Sequence, residues 1–143
     1  MLEPIIEHQK ELKELFKKME FLRDNFDFGN SKAFLDELGD VAIKMREELE
    51  FHFNLQKYAI TNEKAKKFVM ENMLVREMLF RMLDFIIAKS KEESIDAFSK
   101  FDDFEEIFKA YLKKEKGLFI QQLRSVLSDS EIEEVQKRLR ELI

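Results

Sequence analysis

An all-α fold is the first expectation from this sequence, and three observations predict it. Turn punctuation is scarce, with three Gly and one Pro in 143 residues. Helix formers such as Leu, Glu, Lys and Met, together with Phe, dominate a chain that is 45% hydrophobic and 38% charged. Apolar residues recur every three to four positions over most of the length. A chain of this size can bury about 68–70% of its unfolded surface, so one domain over residues 1–143 is expected.

The elements follow in order. Pro4, Ile5, His8, Leu12, Leu15, Phe16, Met19 and Leu22 predict a helix with proline in its first turn that ends near Asn25. The stretch DNFDFGNS is the densest turn chemistry in the chain. Ser31 then caps a second helix with an inward row of Phe34, Leu38, Val41, Met45, Leu49, His52, Leu55 and Ala59, in which Gly39 marks a bend. Thr61 or Asn62 caps a third, with Ala65, Phe68, Asn72, Val75, Leu79, Met82 and Ile86 on one face.

Ser90 with Glu93 matches a capping box that opens a fourth helix, which carries Phe101, Phe104, Phe108, Tyr111, Glu115, Leu118, Phe119, Leu123 and Val126. Ser128 with Glu131 opens a short fifth helix over about 129–142. Four long helices over about 4–127 with short connections predict an up-down-up-down bundle, the fifth laid against its side or end. A coiled-coil dimer requires stricter heptads.

The charge pattern excludes several functions. The net charge of −5 comes from 25 basic and 30 acidic residues interspersed along the chain, so no basic face is offered to nucleic acid. Cysteine is absent, which removes disulfides and thiolate chemistry. MLEPIIEHQK lacks the apolar run of a signal peptide and no stretch is apolar enough to span a membrane, so a cytoplasmic protein is expected. No nucleophile arrangement, phosphate-binding glycine loop or ferritin-type Glu-x-x-His pair is present.

Polar residues interrupt each apolar row: His8, His52, Asn72, and Tyr111 with Glu115. Gln56 lies one turn beyond His52 as Glu115 lies one turn beyond Tyr111, a weak repeat of the form [HY]-[FL]-x-x-[QE]-K. Residues four apart share a helix face, so both pairs can point inward, a geometry suited to a metal. The cluster can equally be a buried set of hydrogen bonds without metal, since imidazole, amide and phenol groups satisfy one another.

These residues resemble the hemerythrin-like, or HHE cation-binding, domain family. IEHQKEL supplies His8, EFHFNLQ supplies His52 and Phe53 with Gln56 in place of glutamate, MENMLVREML supplies Glu71 with Asn72 in place of histidine, and AYLKKEKGLF supplies Glu115 with Tyr111 in place of histidine. The resemblance spans roughly residues 5 to 127 and implies a four-helix bundle around a non-haem di-iron centre. It also implies that one iron has lost its ligands here, because Asn72, Arg76 and Tyr111 stand where imidazoles are expected. A full di-iron centre is therefore not expected. The surviving His8, His52 and Glu115 are the minimum donor set of a mononuclear iron site, which Zn or Mn can also use, with Gln56 and Tyr111 as further oxygen donors.

Glu48, one turn before His52, is either a replacement ligand or a solvated edge residue, the second being the simpler reading. Met70, Met73, Met78 and Met82 read as adaptable core filling, and the fifteen Phe residues as core. Phe104, Phe108 and Phe119 are expected to dry the space beside Tyr111. The Ala97–Phe101 region reads as a solvated face. The expected function is a metal-binding protein of iron or oxygen sensing, storage or redox chemistry, with dioxygen as a small ligand and no indicated turnover. The alternative is a metal-free interaction or regulatory module, a homodimer being one form; a facial-triad enzyme is a weaker third.

Overall fold

The computed structural model describes residues 2–143, which are helical apart from short connections, with no strand among the described residues. Six α-helices succeed one another: α1 (Glu3–Asp24), α2 (Ser31–Ala59), α3 (Lys66–Lys91), α4 (Phe101–Lys116), α5 (Leu118–Val126) and α6 (Asp129–Leu142). Short 3-10 segments at Phe28–Asn30, Glu63–Ala65 and Ile95–Lys100 lead into α2, α3 and α4. The all-α expectation holds. α2 packs on both α1 and α3, α3 packs on α4, and α4 returns to α1.

Several local expectations are corrected. The predicted fourth helix is two helices, because the chain turns at Gly117, whose N–H bonds to the carbonyls of Lys113 and Lys114. Apolar periodicity runs unbroken across that point, so the turn is invisible to it. Ser90 is a buried residue inside α3 rather than a cap, and the polar cap before α4 is Ser94, which accepts from the Asp96 N–H. Asn62, not Thr61, caps the 3-10 segment before α3, and Ser31 is already inside α2. The Ser128–Glu131 capping box forms as predicted.

Gly39 produces no break in α2. Its role is close approach: a Cβ built there lies 3.2 Å from the Ser90 Cβ, so two small residues bring α2 against α3. The buried row of α2 is rotated slightly from the predicted one, with Leu35 and Ala42 inside and Phe34 and Val41 half-buried. Ala97 and Phe101 are fully buried rather than solvated, because the 3-10 segment folds back over α3 and α4. Met70 and Met78 are exposed, as are Phe21, Phe28 and Phe51, so only part of the Met and Phe content is core.

The interior has three layers along the helices. One apolar cluster contains Leu12, Phe16, Leu49, Phe53, Leu79, Phe104, Phe108 and Leu112. The other contains Ile5, Leu55, Ala59, Val69, Phe119, Leu123, Val135 and Leu139. Between them on every long helix lie buried polar residues: Gln9, His52 and Gln56, Asn72, and Glu115. α6 closes the second cluster and is tied to the α2–α3 connection by Arg138, which donates to Thr61 Oγ1 at 2.7 Å, and by an Asn62–Glu131 hydrogen bond. Gly39→Leu is expected to lower stability by about 1–3 kcal/mol through overpacking against Ser90. Chemical denaturation checks this, and an unchanged midpoint would show that the helices separate freely there.

Candidate functional site

The middle layer is organised around the Glu115 carboxylate, which has no solvent exposure. Oε1 accepts from His52 Nε2 at 2.7 Å and from Gln9 Nε2 at 2.9 Å. Oε2 accepts from Tyr111 OH at 2.7 Å and from Gln56 Nε2 at 2.5 Å. Gln56 Nε2 also reaches the Tyr111 hydroxyl, and Gln56 Oε1 accepts from Asn72 Nδ2 at 2.9 Å. Gln9 Nε2 further donates to the Leu112 carbonyl at 3.1 Å. All four long helical segments are thereby joined at one level.

A second arm runs from His52 to the surface. His52 Nδ1 meets His8 Nδ1 at 2.9 Å, and His8 Nε2 meets Glu48 Oε2 at 2.7 Å. Glu48 in turn pairs with Lys44 at 3.1 Å. The His8 and Glu48 side chains are 10% and 21% exposed, so this end of the chain of contacts touches solvent while Glu115 does not. His8 also borders a cleft of about 460 Å3 with Phe51, Arg140 and Ile143.

Proton counting constrains this arm. Three contacts, Glu48–His8, His8–His52 and His52–Glu115, each need one shared proton. Two neutral imidazoles supply two, so all three contacts are hydrogen bonds at once only with a third proton on the arm. A fourth would set two N–H groups against each other between the rings.

The titration behaviour follows from the same contacts. Burial pushes Glu115 up, but His52 and the donors from Gln9 and Tyr111 outweigh it and hold the carboxyl below its ordinary value. Burial, reinforced by the adjacent Glu115, pushes the Tyr111 phenol well above its ordinary value, so it stays protonated and donates. Burial also drives His8 down, against the opposing hydrogen bond that His8 makes to the Glu48 carboxylate. Glu48 is raised by its own burial but more strongly lowered by His8 and Lys44.

No protein-family model, curated protein or solved structure matches this chain. The function of the layer is therefore read from its geometry. His8, His52 and Glu115 come together as the sequence suggested, and Gln56, Asn72, Tyr111 and Glu48 all join them. Both ring nitrogens of each histidine face a protein partner, and both oxygens of Glu115 are saturated by donors. Among the described residues no group of three or more His, Asp or Glu side chains is placed to hold a metal ion. As arranged, the set forms a hydrogen-bonded cluster.

One position in the layer escaped the sequence reading. Gln9 is fully buried at the layer's centre, and His8 beside it takes the half-buried edge, because adjacent helical residues point about 100° apart. The spacing Ile5, Gln9, Leu12, Phe16 carried that signal. Arg76, at an expected imidazole position, turns outward instead: Arg46 and Arg76 cover the two sides of Phe80 at 4.4 and 4.3 Å from its centroid.

A depressed folded-state Glu115 contributes stability above the ordinary carboxylate range and loses it as pH falls through the folded value. Glu115→Gln should therefore cost about 3–5 kcal/mol at neutral pH by leaving the His52 side unpaired, and should flatten the acid limb of stability against pH. Tyr111→Phe should cost less, about 1.5–3 kcal/mol for a hydrogen bond to a charged group. Denaturant titration from pH 3 to 8 reads both, and parallel acid limbs in wild type and Glu115→Gln would place the pH dependence elsewhere.

Proposed function

We propose that this chain is a metal-free, hemerythrin-like up-down-up-down bundle that serves in the cytoplasm as an interaction or regulatory module. The observation that carries the reading is the closed set of contacts from Glu48 through His8 and His52 to Glu115, in which every atom expected to ligate metal is engaged by another side chain. Gln56, Asn72 and Tyr111 replace ligands of the resembled family with groups that complete this hydrogen bonding. The layer then specifies helix register where the parent chemistry would hold iron.

An interaction role is supported by the outer face of α3, where Met70, Leu74 and Met78 follow one another a turn apart at 58%, 68% and 47% exposure. Unpaired apolar stripes of this kind mark contact surfaces. No helix among the described residues is long and apolar enough to cross a membrane.

The rival reading is a mononuclear iron site, favoured by one observation: His8, His52 and Glu115 are contiguous. Elemental analysis separates the two, using protein made without chelator or histidine tag, before and after anaerobic Fe(II) addition and desalting. The expected result is no retained metal. About one metal per chain, lost in His52→Ala, would overturn the metal-free reading and install the mononuclear one.

A further inference from the structure

A groove between α1 and α4 differs in chemistry from the rest of the surface. Its floor is apolar, formed by Phe16, Phe108 and Leu112, and it encloses about 450 Å3, within the range that holds a small organic molecule. Its rim carries Lys13, Lys17, Lys109, Lys113 and Lys116 against Glu20 alone. In a chain of net charge −5, that concentration of positive charge around an apolar floor favours an anion with an apolar body.

The two ends of the groove are unlike. Lys17 leans on Glu14 at 3.7 Å and Lys109 on Glu105 at 3.3 Å, whereas Lys13, Lys113 and Lys116 form no ion pair among the described residues. The hydrogen bond from Gln9 to the Leu112 carbonyl sets these residues level, with Lys13 one turn away on α1 and Lys113 and Lys116 beside Leu112 on α4. Phe16 stacks on Phe108 at 5.3 Å between centroids, two turns along α1 from Gln9. Cations without a carboxylate partner therefore gather at one end, while at the aromatic end Lys109, paired with Glu105, lies 5.4 Å from the Phe16 centroid.

Gln9 supplies an independent observation. It lines the cationic end, its Nε2 is committed to Leu112 and Glu115, and its buried Oε1 has no hydrogen-bond partner. A buried amide oxygen left unpaired is uncommon and is relieved by a donor.

The geometry points to a binding site for a small amphipathic acid that carries a hydrogen-bond donor beside its acidic group. The apolar body lies along Phe16 and Phe108, the acid among Lys13, Lys113 and Lys116, and the donor meets Gln9 Oε1 as that buried oxygen turns to face the groove. A 2-hydroxy fatty acid has these parts in this order. Because Gln9 also holds Glu115, occupancy of the groove reaches the buried polar layer through one side chain.

Isothermal titration calorimetry of the full chain with 2-hydroxydecanoate at low salt tests the site, with decanoate and decyltrimethylammonium as comparisons. The expected result is one molecule bound per chain and affinity reduced about tenfold in the double variant Lys13→Glu/Lys113→Glu, as loss of nearby unlike charge requires. Decanoate should bind several-fold more weakly, and the cation should not saturate. Both substitutions are at exposed positions, so an unchanged helical circular dichroism spectrum separates lost binding from lost folding. Absence of binding by the acid, equal binding by the cation, or unchanged affinity in the double variant would overturn the site. Equal affinity for decanoate would overturn the role of Gln9.

Discussion

A carboxylate without solvent contact, placed between two apolar clusters, governs the arrangement of everything around it. An ionised group in such surroundings is tolerated only when its lone pairs are met by donors and its charge by an opposite one. Glu115 receives donors from His52, Gln9, Tyr111 and Gln56, contributed by α1, α2 and α4, and Gln56 recruits Asn72 from α3. Each donor has to arrive at a particular height and angle. Apolar layers accept small rotations and repacking, but a directional contact does not, so the rotation of each helix about its axis is tied to this level.

The surface contributes little by comparison. Its ion pairs join largely exposed side chains within or between neighbouring helices, an arrangement worth little each. The exceptions are cations that lie on rings: Arg23 over Phe101 at 4.4 Å, and the two guanidiniums on Phe80. There the charged head seals the edge of a buried aromatic while remaining hydrated, and the sequence shows only an ordinary Arg among many charges.

Helical periodicity, the Ser128–Glu131 cap and the inward faces of His52, Gln56, Asn72, Tyr111 and Glu115 were legible from spacing, since residues a turn apart share a face whatever the surroundings, while the grouping of His8, His52 and Glu115 was what the family resemblance implied. What was not legible depended on partners distant in sequence. Ser90 reads as a cap until Gly39 is seen to need a small neighbour across the helix interface. The turn at Gly117 leaves no mark in the pattern, because apolar periodicity continues through it. Gln9 is masked by the histidine beside it, and Ala97 and Phe101 lie in a stretch whose burial comes from folding back rather than from periodicity. The direction of each donor atom has no counterpart in spacing at all.

The long sequence reach of the central contacts shapes how the chain is made. Gln9 waits 106 residues for Glu115, and His52 waits 63. During synthesis the first two helices therefore emerge with their imidazoles and amides facing an interior that lacks its anion. The polar layer closes only when α4 leaves the ribosome, and the second apolar cluster only when α6 follows it, so nascent chains stalled before α4 present an incomplete seam to chaperones and proteases.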